Sequence, residues 1–173
     1  MSLLPISKIL TTSICRSKRC KSLTTVRNLM SKQLVYAQFG DPLHVVKYKE
    51  CPVPELDPQQ VLVRMLAAPV NPADINTIQG KNLSLPCLPT IPGDEGVGEI
   101  VEIGSLVARV KEGDRVVLTS RLLGTWRYYG IFHEKDVHVV SPNLPLPEAA
   151  TLTLAPCMAY RMLRDYRDLP AGS

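Results

Sequence analysis

From residue 60 to 68 the side chains alternate: Val61, Val63, Met65 and Ala67 share one face, Leu62, Arg64 and Leu66 the other. That two-residue period predicts a β-strand, and Arg64 predicts that its second face meets solvent in part. Pro69 and Pro72 close the run. Leu34, Val35, Tyr36 and Ala37 read as a strand, Phe39-Gly40-Asp41-Pro42 as a turn, and residues 44–48 as the returning strand. Val137, His138, Val139 and Val140 form another strand candidate.

Helical signals are shorter. In Asn71-Pro72-Ala73-Asp74, Asn71 can cap, Pro72 suits the first helical position and Asp74 favours the positive end of the dipole. Ile75 and Ile78 then share a face and Gly80 ends the run. Pro147-Glu148-Ala149-Ala150 opens a second helix, and Pro156 a third. In the third, Cys157, Tyr160 and Leu163 oppose Arg161, Arg164, Asp165 and Asp168. These elements predict a small, mainly antiparallel β domain with short helices toward its C-terminal side, an α+β arrangement.

The most informative stretch is Gly93-Asp94-Glu95-Gly96-Val97-Gly98-Glu99-Ile100-Val101-Glu102-Ile103-Gly104, followed by Lys111-Glu112-Gly113-Asp114-Arg115-Val116-Val117. Two β-branched runs flank turn chemistry. Its GxG spacing continues into extended sequence, whereas a dinucleotide fingerprint needs a strand before it and a helix after it. Gly96-Val97-Gly98 is therefore read as strand, and no phosphate-cradling loop is found elsewhere.

Charge changes the picture at the N-terminus. Of 20 basic residues, seven (Lys8, Arg16, Lys18, Arg19, Lys21, Arg27, Lys32) precede Gly40 with no acid among them. The remainder holds 13 bases against 16 acids, which excludes the basic face of a nucleic-acid binder. Residues 1–32, Arg- and Ser-rich and free of acids, read as a mitochondrial transit peptide directing the chain to the matrix. No apolar run approaches the ~18 residues of a membrane-spanning helix. The five cysteines, Cys15, Cys20, Cys51, Cys87 and Cys157, show no CxxC pair, which argues against a disulfide framework and against zinc. The last three are expected to be core or loop thiols. His44, His133 and His138 are expected on strands without partners.

The layout around Gly93 resembles the catalytic-domain signature of the medium-chain dehydrogenase/reductase superfamily. In the zinc branch a His commonly stands where this chain has Asp94, so the resemblance points to the zinc-free reductases and to no metal. Met65-Leu66-Ala67-Ala68-Pro69-Val70-Asn71-Pro72-Ala73-Asp74-Ile75-Asn76-Thr77-Ile78-Gln79-Gly80 is similar to the mitochondrial trans-2-enoyl-thioester reductases. So are Leu123-Gly124-Thr125-Trp126-Arg127, Ala149-Ala150-Thr151-Leu152 and Pro156-Cys157-Met158-Ala159-Tyr160-Arg161-Met162-Leu163.

The resemblance implies a GroES-like β-barrel over residues 33–146, with residues 147–173 as the helical start of a connection to a cofactor domain. It implies NADPH as cofactor and, as substrate, an acyl thioester carried by acyl carrier protein or coenzyme A. Asn71 and Trp126 become candidate substrate contacts, beside their plainer readings as helix cap and packing residue. Asn82 occupies the position of the family's Tyr. An Asn amide can donate a hydrogen bond to an oxyanion but cannot act as a general acid near neutral pH; Tyr128 and Tyr129 are discounted as substitutes. The family's Rossmann domain is missing, so the expectation is a truncated form that does not bind NADPH or turn over alone. A non-enzymatic acyl-binding or interaction module, and a fragment of a quinone-reductase-like relative, are the alternatives. Helices after residue 147 are expected to leave an apolar face uncovered and to promote self-association.

Overall fold

The computed structural model describes residues 29–166. Most of the expected transit segment, Cys15, Cys20 and Asp168 lie outside these residues. Seven strands and four helices follow one another: β1 (Met30–Tyr36), α1 (Pro42–Val45), β2 (Val46–Pro52), β3 (Gln60–Ala67), α2 (Pro72–Ile78), β4 (Val97–Ile103), β5 (Arg115–Leu118), β6 (Tyr129–His133), β7 (Val137–Val139), α3 (Leu146–Ala150) and α4 (Ala155–Asp165). The fold is mainly β with short helices.

β1 and β2 form an antiparallel hairpin, and the other strands form one sheet in the order β6-β3-β4-β5-β7. Every pairing is antiparallel. β1 also folds across the chain preceding and opening β6. The Leu34 amide donates to the Trp126 carbonyl, the Tyr128 amide to the Lys32 carbonyl, and Ser31 both donates to and accepts from the Tyr129 backbone. These contacts curl the sheet toward closure and satisfy a strand edge that would otherwise stay open.

Side-chain alternation builds a core on each face. Val61, Val63, Ile100, Val116, Leu118, Phe132 and Val137 make one cluster. Val97 and Val117 point the other way and are covered by Ala149 and Ala150 of α3. A third cluster joins Tyr36, Val45 and Ile78, with Trp126 packed against it. Leu62 is buried too, so the second face of β3 is wetter only near Arg64, which pairs with Glu99 at 2.8 Å. Gly98 lies where β4 meets β3, and an added Cβ would collide with the Val63 side chain and come within 2.7 Å of the Arg64 carbonyl.

Three expectations need correction. His44 and Val45, expected to open the returning strand, belong to a helical turn over Pro42–Val45, because Asp41 accepts from the Leu43 amide at 3.0 Å and Pro42 takes the first helical position. His44 therefore sits on α1 beside Asp41, and His133 meets Gln59; neither is without a partner. Cys51 and Cys157 are free thiols, but Cys87 is disulfide-bonded.

Candidate functional site

Past the end of β3 the chain turns at Ala68, Pro69 and Val70, and these residues face the segment Thr125, Trp126, Arg127 and Tyr128. Between them, bounded also by Leu34 and Tyr48, lies a groove of about 510 Å³ with mostly apolar walls. Trp126 is fixed at its edge, because the indole N–H donates to the Pro69 carbonyl at 3.0 Å while the ring packs toward Tyr36, Val45 and Ile78. The indole thus serves both as packing and as groove wall.

Behind Trp126 three carboxylates are buried: Asp74, Asp94 and Glu95. Each is held by protein donors. Asp74 accepts from the Asn71 amide at 2.8 Å and from the Asp94 amide at 3.0 Å. Asp94 accepts from the Leu122 amide at 2.9 Å, with Arg121 at 3.4 Å. Glu95 accepts from the Asn71 side chain at 2.8 Å, from the Thr153 hydroxyl at 3.1 Å and from the Leu154 amide at 3.0 Å. These bonds tie the start of α2, the Gly93 turn and the entry to α4 into one unit. Burial raises Asp74 above its ordinary value, offset in part by the Asn71 amide and reinforced by Asp94. Tyr36, beside them, is also raised, first by burial and then by Asp94 and Asp74.

The sequence-derived candidates fall in different places. Trp126 lines the groove. Asn71 opens α2 and spends its side-chain amide on Glu95. Asn82 is turned onto α2, where its Nδ2 donates to the Thr77 hydroxyl at 2.6 Å and to the Ala73 carbonyl at 3.2 Å. Both of its N–H donors are thereby engaged. Arg127 and Thr125, which sequence reasoning did not single out, both line the groove. The adjacency of the Leu123-Gly124-Thr125-Trp126-Arg127 motif was the available signal.

No group of three or more His, Cys, Asp and Glu among the described residues is arranged to hold a metal ion. Where the zinc branch has its His, the Asp94 carboxylate is already committed to Leu122 and Arg121. The GxG at Gly96-Val97-Gly98 is not a dinucleotide fingerprint. Gly96 and Gly98 lead into and lie within β4, with no helix following to meet a pyrophosphate. No described helix is long and apolar enough to cross a membrane.

The alcohol dehydrogenase GroES-like domain family matches residues 57–142. The chain is 45% identical over 141 residues to the mitochondrial enoyl-[acyl-carrier-protein] reductase of Mus musculus, covering 82% of this chain and 38% of that protein. With the Rattus norvegicus protein of the same name the identity is 41% over 170 residues, 97% of this chain and 46% of the relative. A mutant form of the enoyl thioester reductase from Candida tropicalis superposes with a TM-score of 0.77 at 31% identity, over 84% of this chain and 46% of that one. A protein described as a NADPH:quinone reductase from Bacillus thuringiensis gives 0.75 at 31% identity, over 82% and 42%. The chain thus spans less than half the length of these relatives. On these grounds residues 57–142 are a GroES-like domain, and the chain is similar to the N-terminal catalytic domain of the mitochondrial enoyl-thioester reductases.

Proposed function

We propose that this chain is the acyl-binding part of an NADPH-dependent trans-2-enoyl-thioester reductase of mitochondrial fatty acid synthesis, and that it does not turn over alone. The observation that carries the reading is the apolar groove at Trp126, whose ~510 Å³ falls in the ordinary range for small-ligand sites. A related structure, that of Etr1p, holds NADP and crotonyl-CoA.

Reducing the double bond needs a hydride donor held against the β-carbon and a proton for the α-carbon. Gly96-Val97-Gly98 runs on as β4 rather than into a helix whose N-terminus could meet the nucleotide's pyrophosphate. At the family's Tyr position, Asn82 has no acidic proton, and both its N–H groups are engaged with α2. Loss of a positioned acid costs roughly 10²–10⁴ in rate. Acyl binding without reduction is the consequence.

The chain carries one tryptophan, so Trp126 fluorescence reports the groove without interference. Titration with trans-2-dodecenoyl thioester should change its emission, while NADPH absorbance in the same mixture stays at background. NADPH consumption, or a flat titration, would overturn the reading.

Two further parts of the proposal stand on their own measurements. Residues 1–32 direct the chain to the mitochondrial matrix, and a diffuse cytosolic signal from a fluorescent fusion would remove that claim. Copies associate through α4, which exposes Met158, Tyr160, Met162 and Leu163. Sedimentation velocity showing only monomer at high concentration would remove that one.

A further inference from the structure

Arg127 is held as few surface arginines are. Its Nη2 donates to the Leu123 carbonyl at 2.9 Å, and its guanidinium carbon lies 4.7 Å from the centre of the Phe132 ring. Its Nε is fully enclosed and has no hydrogen-bond partner. Gly130 makes the room: a Cβ there would come within 2.6 Å of that Nε. The cation is thus held against the Phe132 ring and the Gly130 backbone, and desolvation lowers its pKa to about 10.

No carboxylate among the described residues forms an ion pair with Arg127. A buried charge without a counter-charge is a costly arrangement, and one carbonyl with one aromatic face compensates it only in part. One of its five N–H donors serves Leu123, and the enclosed Nε has no acceptor. The side chain lines the groove described above, and Lys32 lines the same groove from β1. Glu50, opposite Lys32 in the β1–β2 register, accepts the Tyr48 hydroxyl. The groove therefore pairs apolar walls with two cations.

We propose that Arg127, assisted by Lys32, binds the anionic head of an acyl ligand whose chain lies against Trp126, Met65 and Leu66. The ligand class is a fatty-acyl molecule bearing a phosphate or a carboxylate. A phosphopantetheine thioester and a free fatty acid share that chemistry. The acyl part of the proposal rests on the function proposed above; the anion-binding part rests on Arg127 itself.

Trp126 fluorescence titrations of the full chain separate these cases with two matched pairs: dodecanoate against dodecanol, and S-dodecanoyl-4′-phosphopantetheine against S-dodecanoyl-pantetheine. In each pair only the charge differs in kind. The parent chain should prefer the anion of a pair by about tenfold, the size expected of a hydrogen bond to a charged group. Arg127→Met should reduce that preference to about twofold or less; Arg127→Lys should keep part of it.

Equal binding of charged and neutral partners by the parent chain overturns the anion site, and this comparison needs no variant to fold. An undiminished preference in Arg127→Met also overturns it. If dodecanoate binds in an Arg127-dependent way and neither thioester binds, the anion site stands and the thioester function fails. If both thioesters bind equally well, the thioester function stands and the anion site fails.

Discussion

The side-chain amide of Asn71 donates to the Glu95 carboxylate at 2.8 Å, so the residue that opens α2 is fastened to the turn entering β4. The other oxygen of Glu95 takes the Thr153 hydroxyl and the Leu154 amide, at the entry to α4. One buried carboxylate therefore joins three segments distant in sequence. Glu95→Ala should destabilise the fold by about 3 kcal/mol, because it strands three donors at once. Asn71→Ala removes one donor and should cost about 1–2 kcal/mol. Denaturant unfolding of both variants checks the order; equal losses would show that Glu95 does not act as the hub.

Asp74 gives a pH signature. Unfolded, it releases its proton near its ordinary 3.8, whereas the folded, desolvated group holds it to higher pH. Between those two values the folded state binds more protons, so the contribution of Asp74 to stability falls as pH rises. Asp74→Asn removes that downward contribution. Unfolding free energy plotted from about pH 4 upward should fall less, or rise more, in the variant than in the parent. Parallel curves would mean that Asp74 ionises in the fold as it does in water.

Gly98 and Gly113 offer a contrast between crowding and backbone strain. A Cβ at Gly98 would meet the Arg64 carbonyl at 2.7 Å and the Val63 side chain, both inside the sheet. Gly98→Ala should cost at least about 3 kcal/mol or prevent folding. Gly113 has φ +84° and nothing near its missing Cβ, so Gly113→Ala should cost only about 1 kcal/mol through the left-handed backbone. Thermal melts of the two proteins decide the ranking.

For Asn82 the expectation separates stability from binding. Asn82→Ala deletes the bonds to Thr77 and Ala73 and should lower stability by about 1–2 kcal/mol. Acyl-thioester affinity, read at Trp126, should remain within about twofold, as for a change without direct ligand contact. A tenfold loss of affinity would instead place Asn82 in the ligand site.

Local chemistry made much of this fold legible. The alternation over residues 60–67 became β3, the Asn71-Pro72 start became α2, and Gly96-Val97-Gly98 ran into extended β4. His44 and Val45 misled because Val45 and Val46 together suit a strand, while Asp41 supplies a cap that only a helical turn can use. A structural hydrogen-bonding role was legible for Glu95 in its turn, but its partners, and the role of Arg127, were out of reach for a different reason. Each depends on partners from other elements, such as Asn71 and Thr153 for Glu95 and the Phe132 ring for Arg127. Adjacent sequence carries no trace of those distances.

The seam between Ser31 and Tyr129 spans 98 positions of chain, and the pairing of Gln60 with His133 is nearly as remote. A ribosome must therefore have released the chain as far as β6 before the flank of β3 finds its mate. Until then that edge is a sticky template, open to intermolecular pairing. Pairing of this non-local kind folds more slowly than a helical bundle of equal length and lengthens the time that edge stays exposed.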